Sequence, residues 1–299
     1  MNIFLTGANG FVGGTVAMRL IKAGNSVRGL VRDEEKARQV KALGIEPVIG
    51  SLDDIGLLKR EAAASDGVIH TADSDHLKAV EAFISALEGS GKPFLHTSGS
   101  SVIGDDALGL KVNPDIFDED TPFVVAESKQ PRRDIELKVM AAAHKNVRAV
   151  VICPSNIYGT GTGVHKESVQ IPWLVQQAKE SGVVRVVGTG VNRWSNVHVL
   201  DVAELFLLAL EIAPAGAFYF IENGEASFLE IGQSIARRLK LDPVQYWTVE
   251  EAAVRWGYLH AHYTFGTNSR VRAKRARKEL GWAPVFTSAL KWIEEDMPV

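Results

Sequence analysis

Along the first half of the chain, short runs of β-branched and apolar residues alternate with longer stretches whose apolar positions return every three or four residues. Strands are predicted at Asn2–Thr6, Ser26–Val31, Glu46–Ile49, Gly67–His70, Pro93–Thr97 and 147–153. These runs are mostly continuous rather than alternating, as expected of strands covered on both faces. Helices are predicted at 11–23, 34–43, 76–88 and 128–144, with Gly24, Gly44, Gly89 and Asn146 where a left-handed residue would stop each one. Strand and helix in regular alternation is the pattern of crossover units, so the chain is expected to be α/β with a parallel sheet.

After Gly159 the texture changes to glycine-rich loops. A helix is predicted at 171–180, strands at 183–187 and Ala217–Ile221, and helical spacing marks 227–239 and 270–282. The chain is expected to return to the sheet around Val197. No internal repeat or low-complexity tract is present.

Composition narrows the class. Of 299 residues, 46% are hydrophobic and 23% charged, which is ordinary globular usage and excludes disorder, coiled coil and collagen-like repeats. A net charge of −3 gives no electrostatic footprint for nucleic acid or an anionic membrane. The basic run from Arg270 to Lys278 carries helical apolar spacing and reads as a solvated helix face. No apolar stretch reaches the roughly 18 to 20 residues that a bilayer span needs, and the first residues are too short for a signal segment. A cytoplasmic location is expected, with no membrane partner. Cys153 is the single cysteine, so no internal disulfide forms and an inert thiol in a reducing compartment is the reading. The histidines have no cysteine partners and no His-x-x-x-His spacing, so no metal site is expected.

The stretch Thr6-Gly7-Ala8-Asn9-Gly10-Phe11-Val12-Gly13 lies between a predicted strand and a predicted helix. In that context Gly7 permits a tight turn, Gly10 lets backbone approach a pyrophosphate, and Gly13 lets helix and strand pack closely. The helix N-terminus then offers free N–H groups to phosphates. A dinucleotide site follows. The second strand ends Val31-Arg32-Asp33. An arginine there accommodates a ribose 2′-phosphate, which favours NADP(H), while Asp33 leaves NAD(H) open through the ribose hydroxyls.

With these residues the chain resembles the extended short-chain dehydrogenase/reductase superfamily, in its NAD-dependent epimerase/dehydratase group. Further marks are Asp66 to Ala72, His96 to Gly104, Cys153 to Gly159, Val197 to Ala203 and the closing Glu279-Leu280-Gly281-Trp282. The resemblance implies a Rossmann-type doubly wound parallel sheet with a smaller C-terminal substrate lobe. Residues 1–159 would form the dinucleotide-binding domain and 160–299 mainly the lobe, with about 183–222 returning to the sheet. It also implies Ser51 and Leu52 by the adenine, Thr71 and Ala72 along the cofactor, and Pro154 to Ile157 near the nicotinamide.

Family members move a hydride using a serine after the fifth strand and a tyrosine and lysine four positions apart. The lysine position is Lys129, which would also hold the nicotinamide ribose. The tyrosine position is Val125, which cannot donate a proton, and 105–125 contains no tyrosine. The strict serine position is Gly99, flanked by Ser98 and Ser100 as hydroxyl candidates. Substitute acids are sought at Tyr158, at His165 and Lys166, and in the cluster Tyr258, His260, His262 and Tyr263, which either caps a substrate pocket or packs beneath the lobe.

In sugar-nucleotide relatives an arginine before the Val197 strand holds a diphosphate; here Trp194 takes that place and Arg193 is one position off, facing the other way on an extended chain. With Trp173, this points to a small apolar or aromatic carbonyl. Two readings stand: an NAD(P)-dependent oxidoreductase or epimerase acting on a small-molecule carbonyl or alcohol, and a silent NADP(H)-binding regulator or redox sensor. A homodimer is left open.

Overall fold

The computed structural model describes all of residues 1–299. Six strands, β1 (Asn2–Thr6), β2 (Ser26–Val31), β3 (Glu46–Ile49), β4 (Gly67–His70), β5 (Pro93–Thr97) and β6 (Arg148–Pro154), alternate with helices α1 (Phe11–Lys22), α2 (Glu34–Lys41), α3 (Ile55–Ala64), α4 (Leu77–Leu87) and α5 (Gln130–Ala141). After β7 (Asn156–Tyr158), α6 (Gln170–Ser181), β8 (Arg185–Val187), β9 (Arg193–His198) and α7 (Val199–Ile212), strand β10 (Ala217–Ile221) completes the main sheet. Its order is β10-β6-β5-β4-β1-β2-β3, and every pairing is parallel. This is the Rossmann-type doubly wound sheet, with its reversal of strand order between β1 and β4.

The two-residue period of a strand sends alternate side chains to opposite faces. Ile3, Leu5, Ile69, Leu95, Val150 and Ile152 join a core with α1 and α7, while Phe4, Val68, Phe94 and Val151 join the core under α3, α4 and α5. Burial on both faces is why these strands read as continuous apolar runs.

The chain then closes through β11 (Glu225–Ser227), α8 (Phe228–Leu239), β12 (Gln245–Trp247), α9 (Val249–Trp256), α10 (Lys274–Leu280) and α11 (Ala289–Glu295). A third core, around Leu174, Trp194, Phe228, Ile235 and Phe265, belongs to this lobe.

Two elements depart from the sequence reading. Val197 does lie in a strand, β9, but β9 pairs with β7 and β11 in a three-stranded sheet of its own, while β8 pairs with β12. Only β10 rejoins the seven strands, because it fits along β6 from Val150 to Pro154. The helix expected at 270–282 begins at Lys274. The preceding segment is extended: Val271 bridges Phe117, Ser269 bridges Trp194, and the Phe117 carbonyl accepts from the Arg272 amide at 2.8 Å.

Candidate functional site

Where β1 meets α1, backbone shape is set by three glycines. Gly7 adopts φ of +78°, and a Cβ there would stand 2.7 Å from Thr71 Oγ1. A Cβ on Gly13 would stand 2.3 Å from the Gly7 carbonyl oxygen. At Gly10 the single close neighbour of such a Cβ would be that same carbonyl, at 3.2 Å, so its outer side is open. Gly10 caps α1 without any side-chain bond to the first turn. The helix end therefore keeps N–H groups for an anion.

That helix end opens into a cavity of about 1040 Å³. The cavity runs along the C-terminal ends of the strands, at the switch point between β1 and β4, where α/β sheets place their ligands. Gly7, Asn9, Gly10, Phe11, Val12 and Gly13 line one wall. Arg32, Ser51 and Leu52 stand at the far end, and Thr71 and Ala72 form the floor beside the glycines. Pro154, Ile157, Lys129, Ser98 and Ser100 line the other end. The glycine-turn residues, Arg32, Ser51, Leu52, Thr71, Ala72, Lys129, Ser98, Ser100, Pro154 and Ile157 thus line one space. Ser155 and Ser168 line it as well, with buried hydroxyls that find no partner in the protein. The open glycine cradle, the uncapped helix and these orphaned hydroxyls fit a phosphate-bearing dinucleotide.

At the tip of β2 the two candidate ribose contacts have separated. Asp33 is the N-cap of α2, accepting from the Lys36 amide at 2.9 Å and pairing with the Lys36 ammonium, which lowers its pKa. Arg32 is exposed, lines the cavity and has no carboxylate partner.

The serines differ in where their protons go. Ser98 donates to the buried carboxyl of Glu136, which also accepts from Arg133 at 2.7 Å. Burial pushes the Glu136 pKa up, with the Ser98 and Arg133 bonds opposing. The Ser269 hydroxyl donates to the Ser100 carbonyl at 2.8 Å, leaving its oxygen, 2.7 Å away, to accept from the Ser100 hydroxyl. Both protons are therefore committed inward. Ser101, not among the sequence candidates, is half-buried on the cavity wall; its oxygen accepts from Arg132 at 3.2 Å and its own proton is uncommitted. Arg132 is held in turn by Asp75 through bonds of 2.8 and 2.5 Å.

Lys129 sits one residue before α5, its ammonium 5.2 Å from the ring centre of Tyr263. Burial, and then the Arg132 guanidinium, hold its pKa below the ordinary lysine value, against the pull of Asp75.

The remaining candidates divide by position. Tyr158 is buried and donates to the Phe286 carbonyl at 3.3 Å, and burial raises its pKa. His165 and Lys166 are exposed outside the cavity, although the His165 amide donates to the Asn9 carbonyl at 3.3 Å and so fastens that loop to the glycine turn. His262 bonds Asp106 at 2.7 Å beneath Tyr258, while His260 and Tyr263 reach the cavity. Arg193 pairs with Glu225 and Glu230, and the Trp194 indole donates to the Thr267 carbonyl at 2.7 Å. Cys153 is buried, with burial raising its pKa. No group of potential metal ligands occurs, and no helix is long and apolar enough to cross a membrane.

The later family marks act structurally. Asp201 accepts from the amides of Val285 and Phe286, both at 3.0 Å, and its carbonyl accepts from the Trp282 indole at 2.9 Å, which ties the chain end to α7.

Comparison with known proteins agrees with this arrangement. Residues 3–220 match the model of the NAD dependent epimerase/dehydratase family. An uncharacterised protein, C2A9.02, of Schizosaccharomyces pombe is 33% identical over 99% of each chain. The 4-hydroxy-2-methyl-3-oxo-4-farnesyl-3,4-dihydroquinoline-1-oxide ketoreductase of Stigmatella aurantiaca is 28% identical over 95% of this chain and 92% of its own. In fold, the dTDP-glucose 4,6-dehydratase of Bacillus anthracis, solved in complex with NAD, superposes with a TM-score of 0.76 at 18% identity, covering 99% of this chain and 97% of that one. The chain belongs to the NAD dependent epimerase/dehydratase family.

Proposed function

We propose that the protein is an NADP(H)-dependent oxidoreductase that interconverts a small apolar or aromatic carbonyl compound and its alcohol. The observation that carries this reading is the single cavity in which the glycine cradle, Arg32, Lys129 and a serine hydroxyl with a free proton all meet. When bound, the nicotinamide exchanges hydride at C4. The chain does the rest. Amides of the α1 end hold the pyrophosphate, Arg32 the 2′-phosphate, and Lys129 the nicotinamide ribose. Ser101, oriented by Arg132, donates a hydrogen bond to the substrate oxygen as charge builds on it.

Arg132 supports this role by donating two hydrogen bonds to Asp75, which fix the guanidinium while leaving one arm on Ser101. An apolar substrate is favoured over a nucleotide sugar, since Arg193 is bound up with two glutamates and Trp194 lines the cavity instead. The relative named as a ketoreductase lends support.

Fluorescence titration with NADPH and NADH, followed by turnover on a panel of aldehydes, ketones and alcohols, tests the reading. Tighter binding of NADPH and oxidation of it by at least one ketone or aldehyde is the expected outcome. Binding without turnover across the panel would favour the nucleotide-sensing alternative, for which Val125 at the tyrosine position is the favouring observation.

A further inference from the structure

With valine at position 125, the proton needed at the substrate oxygen has to come from another element. The chain has five tyrosines. Tyr158 and Tyr219 have their hydroxyls bonded to the Phe286 carbonyl and to Glu279, and neither lines the cavity. Tyr246 and Tyr258 are exposed outside it. Tyr263 alone lines the cavity, half-buried, and its hydroxyl bonds no group of the protein.

Its placement is fixed from behind. Residues His260–Thr264 form one turn of π-helix, closed by a 3.1 Å bond from the Phe265 amide to the His260 carbonyl. Such turns recur at functional sites because the extra residue redirects a side chain. Thr267 donates to the Tyr263 carbonyl at 2.9 Å, and Phe265 is wedged against Trp173, Trp256 and Phe228. The phenol therefore comes from the C-terminal lobe but meets Lys129, whose ammonium lies 5.2 Å from its ring centre. The other titratable lobe residue on the cavity, His260, is exposed and packs edge-on against Trp173 at 4.9 Å.

We infer that Tyr263 is the proton donor of this site, supplying from the lobe the phenol that Val125 cannot; the inference rests on the carbonyl-reducing reading above. In the reducing direction the carbonyl carbon accepts hydride, two electrons and one hydrogen, from the reduced nicotinamide. The C=O π pair moves to oxygen, and that oxygen takes the Tyr263 hydroxyl proton. Solvent returns a proton to the phenolate, so ketone, NADPH and one proton give alcohol and NADP⁺.

The test uses the full chain with a ketone or aldehyde turned over by the wild type. Tyr263→Phe is expected to lower kcat by about a hundredfold or more, with the NADPH dissociation constant changed by less than about threefold. A readout without turnover comes from fluorine NMR of protein labelled with 3-fluorotyrosine. The resonance lost in Tyr263→Phe is expected to move on addition of NADP⁺ and on Lys129→Met. Tyr263→Phe retaining kcat within about threefold, or a Tyr263 resonance indifferent to NADP⁺, overturns the inference and leaves the oxidoreductase reading standing. A wild type that turns over nothing in the panel overturns that reading, and the inference falls with it.

Discussion

Single side chains on the cavity wall divide by what their polar atoms already hold. Arg32 holds nothing, and charged hydrogen bonds of the kind it offers are worth about 1.5 to 3 kcal/mol. Arg32→Ser is therefore expected to weaken NADPH by roughly tenfold to a hundredfold while leaving NADH nearly unchanged, as read by fluorescence titration. An equal loss for both nucleotides would mean that Arg32 does not read the 2′-phosphate. The serines are expected to separate in the same way. Ser101→Ala should cost turnover without altering nucleotide affinity. Ser98→Ala should instead cost about 1 to 3 kcal/mol of folding stability, because the buried Glu136 oxygen loses its donor. This division was beyond the sequence. The glycine turn and Arg32 were legible as cavity-lining positions because each sits at a fixed step from a strand end, so local spacing locates them, whereas Lys129 was legible only through the family resemblance. The free proton of Ser101 was not, since it depends on Ser269 and Glu136 having claimed its neighbours. Tyr263 was visible only as one of a cluster, because nothing local says which member of it faces Lys129.

Helix α1 depends on how closely it can approach the turn before it. Gly13→Ala would set a methyl 2.3 Å from the Gly7 carbonyl oxygen, a backbone atom in a left-handed residue that cannot yield cheaply. The helix end must back away. A stability loss of roughly 1 to 3 kcal/mol, typical of overpacking, is expected in thermal melts, together with loss of nucleotide binding in titration. Elements whose burial is one-sided or complete along a short run were the legible ones: β1 to β5 begin and end where the apolar runs do. Helix α3 escaped notice because only Leu58 and Ala62 are buried, too thin a stripe to show a period; its one signal was Asp54, which caps it through the Leu57 amide. Helix α7 escaped for the opposite reason. Nine of its fourteen residues are buried, as it lies between the sheet and α1, and an element apolar on nearly all sides carries no helical period. In 270–273 the helical spacing was real, but the bridge from Val271 to Phe117, continuing the one from Ser269 to Trp194, outweighed it.

At the scale of the whole molecule, three buried imidazoles set how folding responds to acid. His70 ends β4 with Nδ1 2.6 Å from Thr6 Oγ1 and no partner for Nε2; His96 is stacked 5.5 Å away with neither nitrogen bonded. His198 caps α7 through the Leu200 amide and lies flat on Phe286 at 3.8 Å. Burial lowers the pKa of His70 and of His198 from 6.5 to about 4, and holds that of His96 well below the ordinary value. The sign follows from linkage. Below pH 6.5 the unfolded chain binds protons that the native imidazoles refuse, so stability is intact above that pH and drains away down to about 4. For His70 alone the integrated loss is of the order of 3 kcal/mol, a large part of the roughly 5 to 15 kcal/mol that a native domain has. Glu136 and Asp201, with pKa values raised by burial, work against this trend by taking up protons more readily when folded. Urea midpoints are therefore expected to be level from pH 8 to 7 and to fall steeply from pH 6 to 5, and the slope should shrink in His198→Asn. Asparagine keeps the cap on α7 but cannot titrate, so an unchanged slope in that variant would show that His198 contributes nothing to the acid sensitivity.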